Sequence, residues 1–186
     1  MRKTILVFGF LSGAVASAMM LLTLPFHDRI GFGNGAEILG YTTIVLSFLF
    51  VFFGVRSYRE RQAGGALSFG RAFAVGLAIT LISSACYVAT WEFIYFKLTP
   101  DFADKYAAHV VENAKASGAS QAEIDKKARE MADFKVMYDR PLANAAITFL
   151  EPFPIGLLVA LISAAVLRRR PAGDGSQAVP AGLHVR

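Results

Sequence analysis

The run TFLEPFPIG at residues 148–156 sets one acid and two prolines inside a stretch otherwise apolar enough to cross a bilayer. Asn144, Thr148 and Glu151 are spaced by four and three, which puts an amide, a hydroxyl and a carboxyl on one face of a helix. Such groups are costly within a membrane unless partnered, and a polar face on a broken helix is how membrane proteins bind protons or polar ligands. Pro152 cannot donate to the carbonyl of Thr148, nor Pro154 to that of Leu150, so a kink with bare acceptors is expected. Two readings of Glu151 follow. In the first it is protonated and hydrogen-bonds a carbonyl freed by the kink or a group on a neighbouring helix. In the second it faces a wet cavity with Asn144 and Thr148 and binds a proton or a polar ligand. A second acid, Glu92, stands next to Trp91 and one turn from Tyr95. There it reaches lipid headgroups or pairs with Lys97 or Arg140, and a joint site with Glu151 would lie at similar depth.

Other chemistry finds little support. His27, His109 and His184 fall on different segments, the single cysteine, Cys86, lies in an apolar run, and no nucleophile elbow or phosphate-binding loop is present. No catalytic residue, metal or cofactor is expected, and the chain does not read as an enzyme. GFGNG at residues 31–35 follows an apolar run rather than a strand, so it reads as a flexible turn.

The elements that must position these residues are helices in a membrane. Of 186 residues 55% are apolar and 18% charged, with 16 phenylalanines, a composition too apolar for a soluble domain of this size. Four stretches, residues 4–24, 36–55, 69–96 and 142–167, meet the roughly 20 residues that a hydrocarbon core about 30 Å thick requires. The third is overlong and carries Tyr87, Trp91 and Tyr95 toward one end, as interfacial aromatics do. At about 1.5 Å per residue, Glu151 stands roughly 24 Å along the last helix from Leu167, in the outer leaflet below the interface. The basic start and Ala16-Ser17-Ala18 also resemble a signal peptide, but the apolar run continues through Leu24 and reads as a retained span.

Basic residues set the orientation. Arg2 and Lys3, then Arg56, Arg59 and Arg61 in the loop after the second span, then Arg168, Arg169 and Arg170 all fall on one side, whereas the other side holds Arg29 and a segment of balanced charge. The positive-inside rule puts both termini in the cytoplasm, and the net charge of +5 is then a topology signal, with no nucleic-acid motif behind it.

Residues 99–140, between the third and fourth spans, read as a helical hairpin outside the membrane. Thr99 caps a helix that begins at Pro100 and carries Phe102, Tyr106 and Val110; Gly118 ends it. Ser120 and Glu123 have capping-box spacing, followed by a stripe of Ile124, Ala128, Met131, Phe134 and Tyr138. The hairpin either packs as a lid on the span ends or docks a lipid or a partner protein. Small residues recur every fourth position at Gly9-Gly13-Ser17, Gly70-Ala74-Ala78 and Gly156-Ala160-Ala164, seams that pack helices within one chain or in a homo-oligomer. Residues 1–170 form the membrane domain, and 171–186 read as a disordered cytoplasmic tail.

GGALSFGRAFAVG at residues 64–76, LTPDF at 98–102 and TFLEPFPIGLLVALISA at 148–164 resemble a bacterial membrane-protein family catalogued as domain of unknown function 4199. The resemblance covers nearly all the chain except the tail and implies a four-span protein with an extramembrane helical segment before the last span; it implies no activity. The expectation is an all-α, four-helix transmembrane bundle in a bacterial inner membrane, in contact with the lipid bilayer and carrying an extramembrane helical hairpin. Its biochemical function is unassigned by the sequence, and the expected one is that of a small oligomeric transport or ligand-binding module with a polar outer-leaflet site. The alternative is a structural or regulatory subunit whose periplasmic hairpin recruits a protein partner.

Overall fold

Long apolar runs without interior breakers dictate helices, and helices are what the chain forms. The computed structural model describes residues 1–26 and 31–169. Readings that rest on His27, Arg29, Arg170, His184 and the tail at 171–186 lie outside the described residues. Helix α1, Arg2–Thr23, runs into a 3₁₀ turn at Leu24–Phe26; α2 is Asn34–Gln62; α3 is Phe69–Phe93, closing in a π turn at Ile94–Leu98. The hairpin is α4, Phe102–Ala116, and α5, Gln121–Tyr138; the last span is split into α6, Pro141–Phe149, and α7, Pro152–Leu167. Four segments, Arg2–Phe26, Asn34–Gln62, Phe69–Leu98 and Pro141–Leu167, are long and apolar enough to cross a membrane. The protein is an all-α membrane bundle with a helical hairpin outside the spans.

Around the bundle α1 packs on α3, α3 on α7, α7 on α2 and α2 on α1. Small residues let these backbones approach, because lipid supplies no hydrophobic drive to press helices together. A Cβ added at Gly13 would lie 2.5 Å from Cys86 Cβ, and one at Gly156 would meet Thr80 and lie 2.7 Å from Phe48 Cζ. Both seams pack within the chain: Ser17 bonds Thr90 across the first at 2.7 Å, and Gly156, Ala160 and Ala164 are buried along the second. The third seam differs from expectation. Gly70 and Ala74 face outward, and α3 instead buries Ala72, Val75, Gly76 and Ile79. The expected stripe lies roughly on the opposite side of α3 from the face that packs.

Buried hydroxyls tie the helices where carbonyls would otherwise go unpaired. Ser12 Oγ donates to the Ser47 carbonyl at 2.8 Å, so Ser83 Oγ, also 2.8 Å away, is the donor in their shared bond and one serine joins α1, α2 and α3. At the basic end α2 continues through Arg56, Arg59 and Arg61, expected in a loop, to Gln62. A helix tolerates them because Arg56 pairs with Glu60 at 2.9 Å, four residues on. The N-terminal amine donates to Gln62 Oε1, and Leu67 and Arg169 exchange two backbone bonds of 2.9 Å, which closes this end of the bundle.

At the other end the hairpin folds largely as its sequence signals. Gly118 turns the chain at φ +76°, and Ser120 and Glu123 form the reciprocal capping box. Thr99, however, does not cap α4. Its N–H and hydroxyl both bond the Ile94 carbonyl, at 2.8 and 3.2 Å, to finish the π turn, and α4 starts after Asp101. Lys135 bonds Asp104 across the hairpin, and Tyr95 donates to Asp139 at 2.5 Å, anchoring the hairpin to α3.

Candidate functional site

The break between α6 and α7 brings Glu151 to the mouth of a cleft. Pro152 removes a donor from the Thr148 carbonyl, and the Glu151 N–H takes its place in a tighter turn at 3.3 Å. The kink therefore satisfies that acceptor with backbone, and the Glu151 side chain is not needed for it. Instead Tyr87, on α3, donates its hydroxyl to Glu151 Oε2 at 3.0 Å. Glu151 is exposed, and its other oxygen has no hydrogen-bond partner among the described residues.

Asn144 and Thr148 have a different fate. Both are buried, and neither lines the cleft with Glu151. Trp91 Nε1 donates to the Tyr138 hydroxyl at 2.9 Å, Tyr138 meets Thr148 Oγ1 at 3.4 Å, and Thr148 donates to Asn144 Oδ1 at 3.2 Å. Asn144 Nδ2 then donates to the Tyr138 carbonyl at 3.1 Å, closing a ring of polar groups between the hairpin and the last span. Burial pushes the Tyr138 phenol above the ordinary tyrosine range, which keeps the proton the ring uses. The expected constellation is thus divided: Glu151 faces the cleft, while Asn144 and Thr148 hold the hairpin in place.

Glu92 does not join them. It is absent from the cleft lining, and its Oε1 is buried without a hydrogen-bond partner among the described residues, where headgroup contact or pairing with Lys97 or Arg140 was expected. The helix carries it on the stripe of Ala85 and Val88, which faces Ala145 and Ala146 of α6.

The cleft has a volume of 390 Å³, within the range of ligand sites, and lies where α2, α3, the hairpin and the α6–α7 break converge. Seven aromatic rings line it, and six of them form a closed circuit of contacts. Trp91 and Phe102 have centroids 4.9 Å apart, Phe102 and Phe32 5.4 Å, Phe32 and Tyr106 5.6 Å, Tyr106 and Phe134 6.4 Å, and Phe134 and Tyr138 5.0 Å. The Tyr138–Trp91 hydrogen bond completes the circuit at 2.9 Å. Glu37, Tyr87 and Glu151 supply the polar lining. Among the described residues no group of three histidines, cysteines or acids could hold a metal ion. Sequence reasoning missed Phe32, Glu37 and the pairing of Tyr87 with Glu151. The only available signal was the four-residue spacing of Tyr87, Trp91 and Tyr95, which sets them on one helical face.

A family model described as "Protein of unknown function (DUF4199)" matches residues 7–169. No curated protein and no solved structure matches the chain. The family match runs from the first helix through the α6–α7 break to the Leu67–Arg169 bridge. On that coverage the chain belongs to this family of proteins of unknown function.

Proposed function

We propose that the protein is a ligand-binding module of a bacterial inner membrane, with both termini in the cytoplasm and its cleft at the periplasmic face. One observation carries the binding role: Glu151 stands at the break of the last span, lines a 390 Å³ cleft, and has one carboxyl oxygen engaged by Tyr87 and the other free among the described residues. Backbone N–H already satisfies the Thr148 carbonyl, so the acid is not needed for that acceptor. The hairpin roofs the cleft through Phe102, Tyr106, Phe134 and Tyr138, so a ligand would be held between span ends and lid. The orientation rests on Arg2, Lys3, Arg56, Arg59, Arg61, Arg168 and Arg169, gathered at the end opposite the hairpin.

Glu151→Gln tests this reading. It keeps the volume and the acceptor for Tyr87 but removes the charge. The variant should be made at normal levels and unfold at an unchanged temperature in detergent, yet fail to rescue the phenotype of a gene deletion. Full rescue by Glu151→Gln would overturn the binding role of the carboxyl and turn attention to the hairpin as a surface that recruits a partner protein.

A further inference from the structure

We propose that the cleft binds an organic cation, an alkylammonium group with an apolar arm, held by the aromatic belt and the Glu151 carboxyl. The inference rests on the binding role proposed above and adds the chemical class. A closed belt of six aromatic rings lines one cleft, and an aromatic face attracts a cation within about 6 Å of its centroid. Indole is the strongest such partner, and Trp91 is the only tryptophan in the chain. Glu37 and Glu151 are the charged groups in the lining, and among the described residues no lysine or arginine joins them. Among the described lining residues an anion would meet two carboxyls and no cation. A neutral apolar ligand would gain nothing from the two carboxyls in the lining. A cation satisfies both the rings and the acid.

The arm is read from the neighbouring space. A second cavity of 150 Å³ shares Gly31, Ala36 and Tyr87 with the cleft and continues between α1 and α2, lined by Met19, Met20 and Leu39. Tyr87 thus stands between an acidic, aromatic chamber and a thioether-rich apolar one. A ligand with its ammonium among the rings and a short alkyl chain past Tyr87 fills both.

Trp91 makes the test direct, because its emission reports on the cleft without a label. The full chain in neutral detergent is titrated with choline, with its uncharged isostere 3,3-dimethylbutan-1-ol, and with hexyltrimethylammonium. Choline should change the emission saturably, with the alcohol roughly tenfold weaker or more for want of the cation–ring attraction. Hexyltrimethylammonium should bind roughly tenfold more tightly than choline, because its chain buries several methylenes. Glu151→Gln should weaken choline about tenfold and leave the alcohol unchanged, which also shows that the variant cleft is intact. In nanodiscs of phosphatidylglycerol choline should still act. Loss of its effect in phosphatidylcholine discs would assign the cation to a lipid headgroup, and equal effects in both would assign it to a free small molecule. Equal affinity for choline and the alcohol would overturn the cation assignment while leaving the cleft a binding site. Silence from all three ligands would overturn it too, and the rescue test of Glu151→Gln then judges the binding role separately.

Discussion

Asn144 and Glu151 are both polar residues of one apolar span, yet removing them should have opposite consequences. Asn144 is fully buried and spends its amide on the Tyr138 carbonyl and the Thr148 hydroxyl. Asn144→Ala strands both of those groups, a loss of about 1–3 kcal/mol that a lowered unfolding midpoint in detergent would report. Glu151→Gln should leave the same midpoint in place, since the carboxyl closes no buried bond. If the two variants unfold alike, the division between anchor and cleft is wrong. Spacing alone set Asn144, Thr148 and Glu151 on one face, and helical periodicity fixes angles only between residues of one regular helix. The turn ahead of Pro152 is tighter than an α-helix, with the Glu151 N–H on the Thr148 carbonyl, and that change of winding separates the acid from its two neighbours. Nothing local in the sequence says which way the separated groups then look.

At the scale of elements, close approach and capping make the clearest claims. Gly156 sits against Thr80 and Phe48, and Thr80 donates to its carbonyl at 3.2 Å. Gly156→Ala should therefore force α7 away from α2 and α3 and cost about 1–3 kcal/mol, whereas Gly35→Ala, with open space around the added methyl, should be close to neutral. Paired thermal melts compare them. The start of α5 offers a pH test. Backbone N–H from Ser120 holds the Glu123 carboxyl below the ordinary glutamate range, helped by the Ser120 hydroxyl. The cap's contribution is then present above the ordinary glutamate value and is lost as pH falls through the lowered one. Carbon-detected NMR of the Glu123 carboxyl should titrate below free glutamate, and Ser120→Gly, which removes the hydroxyl, should move its midpoint upward. An unchanged midpoint in that variant would deny the hydroxyl any share. The capping box was legible because it is written in four adjacent residues. Thr99 misled because the π turn before it, which no residue pattern announces, claims its N–H and hydroxyl for the Ile94 carbonyl.

For the molecule as a whole, the proposed orientation makes a direct labelling prediction. In a Cys86→Ala background, an impermeant thiol reagent should modify Ser117→Cys at the exposed hairpin turn in intact spheroplasts and spare Gln62→Cys until the membrane is opened. The reverse pattern would invert the protein. The four spans and the hairpin could be read from the sequence because apolar length and helical period are one-dimensional signals. The cleft could not, since Phe32 meets Phe102 and Tyr106 from a different connecting segment, and tertiary docking alone brings them together. One last feature concerns time rather than space. Leu67 is 1% exposed, and its backbone N–H and C=O are both paired with Arg169. During synthesis Leu67 emerges long before its partner exists, so until the fourth span has entered the bilayer these two backbone groups are left to water. The final helix thus acts as a clasp, the last span made closing a loop that was made before it.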